Sequence, residues 1–332
     1  MLKLNNENSN QQLLATQKSA SNTPLFLHNT LTLSTHSFNS LLPSLVDSQL
    51  LLKLSLKLFL IHLDYLRVSS VDLTDKSFCL LRTSLFSKTD FQKINKPWHP
   101  APKMPNSGKY QNRIVSKTGV VLGYTKKAKY HGSNTRYSYD IMIDFTGAYF
   151  ANLSLLEQIE LVCYLNSNWE LKCHRLDVAI DDYSRKLFPV GQMIAAFLRG
   201  DNFGFRAIDD SYLDIIDNLL VGTLGIGSRR SSLFIRIYTK HRLFVRYEAE
   251  LKQDKARDLF KQLANLRSPK HSDVQIINAT HEVLAHAALD GIDFRDKSSI
   301  SSPKNATKAR TIQLPFWQDL RDTIFLIYPS KS

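Results

Sequence analysis

Cysteine is scarce in this chain. The three present, Cys79, Cys163 and Cys173, leave an odd number and show no metal-knuckle spacing. A disulfide framework is therefore excluded as the organising device, and a reducing, cytosolic setting is expected. Long apolar runs are missing too. The leucine-rich stretch 50–66 is interrupted by Lys53, Lys57, His62 and Asp64, well short of the roughly 20 residues a spanning helix needs. The N-terminus is rich in Asn and Gln and carries Glu7, unlike the basic start and apolar core of a signal peptide. No membrane role is expected.

Acid is absent from one long tract. Between Phe91 and Tyr139 there is no Asp or Glu, against ten bases: Lys93, Lys96, Lys103, Lys109, Arg113, Lys117, Lys126, Lys127, Lys129 and Arg136. Trp98, Tyr110, Tyr124, Tyr130, Tyr137 and Tyr139 interleave them. Bases beside aromatics suit a surface that follows a phosphate backbone and stacks on unpaired bases; the plainer reading is a solvated basic loop. Net charge over the 332 residues is +13, which favours a polyanionic partner.

The length allows one large domain or two modest ones. Residues 1–60, rich in Ser, Asn, Thr and Leu, read as a poorly ordered or lineage-specific extension, with an amphipathic helix expected over 44–63. Residues 61–266 read as an α+β domain in which βαβ and hairpin elements mix: an antiparallel-rich central sheet, flanking helices and an active site on one sheet face. Strands are expected at 65–71, 115–124, 138–145, 173–182 and 220–227, and helices at 153–166, 190–199 and 254–266. Ser154 followed by Glu157 has capping-box spacing. Residues 267–332 read as a helical C-terminal part with a Ser/Lys-rich linker at 297–310.

Three segments alternate a polar with an apolar face at strand period: Arg175–Asp182, Leu233–Lys240 and Val245–Leu251. Residues two apart in a strand share a face. Arg175, Asp177 and Asp181 are thus expected together, as are Arg236, Tyr238 and Lys240, and Arg246, Glu248 and Glu250. The short turn at 241–244 sets a hairpin register that places Tyr238 opposite Arg246 and Arg236 opposite Glu248. A phenol with a pKa near 10 is a weak nucleophile unless cations stabilise its phenolate. Arg236, Arg246 and Lys240 supply positive charge. Asp177, Asp181, Glu248 and Glu250 offer the oxygen ligands that Mg²⁺ or Mn²⁺ requires. Arg229 and Arg230, in the Gly227–Ser232 turn, present guanidinium forks to a neighbouring phosphate. Taken singly, each feature has an ordinary structural explanation: turn chemistry for Asp181-Asp182, cross-strand pairing for the Arg/Glu alternation, packing for the tyrosine. Their conjunction on alternating faces favours metal-assisted phosphodiester chemistry.

The segments His174–Asp182, Gly227–Tyr238 and Arg246–Lys252, with Asp64–Val68 and Asp144–Gly147, resemble the rolling-circle replication initiation factors of staphylococcal-type plasmids and some filamentous phages. The resemblance covers about residues 60–266, with a looser likeness at Asp290–Asp296. It implies a nicking and strand-transfer enzyme whose tyrosine attacks one phosphodiester at an origin, leaving a 5′-phosphotyrosyl link and a free 3′-OH. It also implies DNA as partner, a host helicase, and a homodimer in plasmid members. Carried over, Tyr238 is the nucleophile, Asp177, Glu248 and Asp181 or Glu250 are metal ligands, and Arg236 and Arg246 lie on the phosphate. The family commonly has an aromatic residue at the position of Gly225 and an acid or Asn at that of Thr239. A nucleophile at the first position would leave this chain inactive, so the alternative is a degenerate DNA-binding regulator. Tyr238 is preferred because it shares its face with the arginines. No His-x-His pair is present, so the two-histidine metal site of other nicking relaxases is absent.

Overall fold

The computed structural model describes residues 59–85, 91–94, 110–131, 134–169, 171–205, 207–209, 214–216, 219–221, 223–241, 243–268, 270–298 and 307–327. Residues 1–58 of the extension expected over 1–60 and the tract around Trp98 lie outside these residues, as does most of the 297–310 linker. Among the described residues a ten-stranded sheet dominates, in the order β2-β3-β4-β5-β1-β6-β13-β12-β11-β8. Every pair in it is antiparallel. The fold is α+β, as the alternation of periods implied.

The first strand, β1 (Phe59–Thr74), is central and long. Its start corrects residues 59–63 of the helix expected over 44–63; the rest of that segment lies outside the described residues. Phe59, Ile61 and Leu63 are buried while Leu60 is exposed, the period-2 pattern of a strand. Helix α1 (Asp75–Leu85) follows, then β2 (Phe91–Ile94). The strand-like runs expected around 115–124 form a hairpin, β3 (Asn112–Ser116) and β4 (Val120–His131), turned at Gly119 with φ 96°. A Cβ there would sit 2.5 Å from the Thr146 Oγ1, so glycine is required twice over. β4 and β5 (Asn134–Phe145) form a ribbon in which Lys126 lies opposite Tyr139 and Lys129 opposite Arg136.

β5 leads through α2 (Gly147–Phe150) and α3 (Leu155–Asn168) to β6 (Lys172–Asp182). The Ser154–Glu157 capping box at the start of α3 forms in both directions. β5 and β6 both pair with β1, so the expected βαβ unit is split, with β1 inserted between its parallel strands. After α4 (Val190–Leu198) come the short strands β7 (Asn202–Phe203), β8 (Ile208–Asp209), β9 (Asp214–Ile216), β10 (Leu219–Val221) and β11 (Thr223–Ile226). The hairpin β12 (Leu233–Lys240) and β13 (Phe244–Lys252) completes the site strands. Then follow α5 (Gln253–Leu266), α6 (Asp273–Leu289), β14 (Asp293–Asp296), β15 (Ile312–Gln313) and α7 (Pro315–Ile327).

One sheet face is the core. Ile61, Leu63, Ile143, Val178, Ile180, Ile237 and Tyr247 pack there with Ile159 of α3, Leu259 of α5 and Leu284 of α6. The C-terminal elements belong to the same core: Trp317 and Ile324 are wholly buried in it, and the Tyr247 hydroxyl donates to the Ala288 carbonyl at 2.9 Å. Helices therefore cover the apolar face and leave the alternate residues of β1, β6, β12 and β13 to the opposite side. None of the described helices is long and apolar enough to cross a membrane.

Candidate active site

Strand register assembles the polar face. Tyr238 lies opposite Arg246, which lies opposite Asp181; Arg236 lies opposite Glu248; Glu250 lies opposite Asp177. Both hairpin pairs are those the turn at 241–244 implied. All seven side chains expected to act thus meet on one face, with Lys240 two residues beyond Tyr238. Asp182 points to the other side and closes the following loop, accepting from the Ser184 hydroxyl at 2.5 Å and from the Arg185 and Leu187 amides at 3.0 and 2.8 Å.

Arg175 lies on the face where it was expected, and two residues join it that sequence reasoning did not place there: His62 and Asp64. Between Leu63 and Tyr65 the β1–β6 register shifts by one residue. Asp64 is the unpaired residue of this bulge, a device that re-aims a side chain. Its carboxylate accepts from the Arg246 Nη1. Gly147 makes room for it, since a Cβ there would lie 2.8 Å from the Asp64 Oδ1. The polar run continues across β1, where Arg67 grips Asp144 at 2.6 and 2.8 Å and meets the Tyr65 hydroxyl at 2.8 Å.

The network is closed by arginines. Arg246, 3 % exposed, donates to Asp181 through Nε and Nη2 at 2.5 and 2.7 Å. Its Nη1 donates to Asp64, and the His62 Nε2, 3.1 Å from the Asp181 Oδ2, lies 3.3 Å from Nη2. Arg175 holds Asp177 at 2.8 Å through Nε and Glu250 at 2.9 Å through Nη2. Lys252 reaches Glu250 at 2.5 Å. Arg236 pairs with the Glu248 Oε1, and the Tyr238 hydroxyl donates to the Glu248 Oε2 at 3.0 Å. The Arg236 Nε has no partner, and its side chain is 26 % exposed.

Electrostatics follow from this packing. Burial lifts the Asp177 carboxyl to about 7; Arg175 opposes the rise, and Glu248 and Glu250 add to it. Burial also works against charge on Asp181, yet His62 and Arg246 hold it below the ordinary carboxylate value. Burial, then the neighbouring Glu248, push the Tyr238 phenol well above its usual 10.0 despite Arg246. At neutral pH the ring is therefore a phenol bonded to a carboxylate, not a phenolate.

The expected Mg²⁺ or Mn²⁺ ligands, Asp177, Asp181, Glu248 and Glu250, are together but do not converge. Among the described residues no three His, Cys, Asp or Glu side chains are placed to hold a metal ion. Each of the four acids instead faces a guanidinium or ammonium group. The arrangement does not fit a divalent ion, and no step below is routed through one.

The outlying bases are placed elsewhere. Arg229 and Arg230 are exposed in the turn before β12, where Arg229 lies 5.1 Å over the Phe234 ring and its carbonyl accepts from Lys252. Lys127, Lys129 and Arg136 share the site-side face of the β4–β5 ribbon, with Lys127 2.7 Å from Asp140 and Lys129 3.1 Å from Asp72. Lys126 is on the reverse of the ribbon, 3.7 Å over the Tyr137 ring. The expected DNA-binding bases thus do not form a single patch.

No protein-family model and no curated protein matches this sequence. Among solved structures, the chain is similar to a rolling circle replication initiator protein from Geobacillus stearothermophilus, at 17 % identity and a TM-score of 0.56. The match covers 82 % of this chain and 98 % of that one. At that identity the likeness is one of fold alone.

Proposed function

We propose that this protein initiates rolling-circle replication by nicking one DNA strand at an origin, with Tyr238 as nucleophile. The observation that carries this reading is the Tyr238–Glu248–Arg236 relay: a half-buried phenol donating to one carboxylate oxygen while an arginine holds the other. The shared fold with an initiator agrees with it. Because the phenol is neutral, attack requires its proton to leave as the bond to phosphorus forms. Glu248 is the acceptor. The phenol oxygen bonds to phosphorus, the bond from phosphorus to O3′ breaks, and the products are a 5′-phosphotyrosyl link and a 3′-OH. Lys240, on the same face, protonates the leaving O3′.

Proton uptake by Glu248 does a second thing. A neutral carboxyl no longer pairs strongly with Arg236, so the guanidinium and its idle Nε turn to the charge developing on the transferring phosphoryl group. Rejoining runs the same relay backwards. Arg246, whose donors are committed to Asp181 and Asp64, is a positioning residue in this scheme. Asp177, Asp181 and Glu250 hold Arg175 and Arg246 and so frame the relay.

The closed ion-pair network also supports a second reading, a DNA-binding regulator that does not cut. One experiment separates the two. Wild type and Tyr238→Phe are incubated with a labelled single-stranded hairpin library and resolved on a denaturing gel. The expected result is a covalent adduct that maps to Tyr238 and vanishes in the variant, with duplex binding within about twofold. An adduct that persists in Tyr238→Phe refutes the assignment, and binding without adduct in wild type favours the regulator.

A further inference from the structure

We infer that Tyr183 and Phe244 form a stacking shelf for one unpaired nucleobase of the strand being cut, beside the reacting tyrosine. The inference rests on the nicking reading and adds a binding subsite to it.

Tyr183 directly follows β6, and Phe244 opens β13 opposite Lys240. Their ring centroids lie 4.9 Å apart at 46°. Phe244 is the buried half of the pair at 9 % exposure, whereas Tyr183 is 43 % exposed. The shelf abuts the site: the Arg246 guanidinium carbon lies 5.6 Å from the Phe244 ring centroid, and Tyr238 is the residue opposite Arg246. By register, Tyr183 sits two residues along and two strands across from Tyr238, about 7 Å by strand rise and about 10 Å by strand spacing.

The ring is also held still. Both Asp182 oxygens are used to close the 182–187 loop. Arg185 adopts a left-handed backbone, φ 59°, which costs a non-glycine residue about 1 kcal/mol or more. Its side-chain Nε ties the loop to the Leu243 carbonyl at 3.1 Å. Rigid presentation of a half-exposed aromatic has little value in a solvated loop and much in a stacking platform, because the ligand then bears less ordering cost. Lys186 and Lys240 flank the pair in sequence and pairing. Cations around an exposed ring favour a nucleic-acid strand over an apolar protein surface.

The test compares wild type, Tyr183→Ala and Tyr183→Phe for binding to two single-stranded 12-mers, oligo(dT) and the same strand with every base replaced by an abasic site. Tyr183→Ala is expected to weaken oligo(dT) binding about tenfold and to leave abasic binding unchanged, while Tyr183→Phe behaves as wild type. In parallel, 5-iododeoxyuridine in the oligo(dT) strand is expected to photocross-link to Tyr183 in wild type. Equal losses on both strands, no loss on either, or cross-links only at other residues overturn the shelf. The adduct assay reports separately on nicking: a base-dependent effect of Tyr183→Ala without any adduct keeps the shelf and removes the reaction.

Discussion

Arg246→Met tests whether the centre of the site is held by one guanidinium. Arg246 is the partner of Asp181 through two hydrogen bonds and of Asp64 through a third. Asp181 is 3 % exposed, and its remaining partner would be His62 at 3.1 Å. Removing one member of a buried pair costs about 3–5 kcal/mol, because a charge is left without compensation. That is on the order of a third of the 5–15 kcal/mol by which a domain is stable. The pH dependence has a defined sign. In wild type the Asp181 carboxyl is held below its unfolded value, so its contribution is present above about pH 4 and lost as pH falls through the folded value. Without Arg246, burial raises that carboxyl, and the variant loses stability as pH rises. The gap between the two proteins is therefore widest near neutrality and narrows toward pH 4. Urea unfolding followed by circular dichroism at both pH values measures it. Arg246→Met/Asp181→Leu, which removes both charges, is expected to recover much of the loss. A gap below about 1 kcal/mol at pH 7 would sink this reasoning. An Arg246→Met protein as stable as wild type yet unable to form the adduct would put the guanidinium on the phosphate instead.

Two further outcomes are expected. Burial lowers the His281 imidazole from 6.5 to about 4, so the fold holds it neutral while the unfolded chain takes up a proton. Stability is full above pH 6.5 and is lost as pH falls toward 4, by about 3 kcal/mol. His281→Leu is expected to flatten that part of the pH–stability curve, and an unchanged slope would contradict it. On the β4–β5 ribbon, Lys129→Gln with Arg136→Gln is expected to lower the slope of log affinity against log salt by about 0.7–0.9 for each charge removed. A slope equal to that of wild type would show that the ribbon does not follow the phosphates.

Much of the site was legible because period 2 is a strict rule. Once Arg236, Tyr238 and Lys240 alternate with Ile235, Ile237 and Thr239, only one face is open to them, and a short turn leaves little freedom of register. The bulge at Asp64 was not legible. A one-residue insertion in a strand leaves no local mark, and it is the fit to β6 that leaves Asp64 unpaired and brings Tyr65 to the polar face beside it. The end of the helix expected over 44–63 is strand from Phe59 for a related reason: a run of leucines near Phe59 suits either period, and pairing with β6 decides it. The turn at Gly119 that divides the strand-like runs around 115–124 was not placed, because it sits within an apolar stretch. Arginine was expected on the phosphate because sequence alone shows charges without partners. In the folded sheet, Arg246 is nearest to carboxylates and is taken by them. Lys126 was grouped with Lys127 and Lys129 by proximity in sequence, yet strand alternation puts it on the opposite side of the ribbon.

β1 comes before all its neighbours in the chain and yet lies in the middle of the sheet. Both its edges must stay unsatisfied during synthesis until β5 and then β6 have emerged, roughly 75 and 110 residues later. At about 5–20 residues per second this leaves an apolar strand uncovered for several seconds. Assembly is thus bound to be non-local and slow, and a chain cut short before residue 172 would expose a sticky edge where the finished protein has its centre.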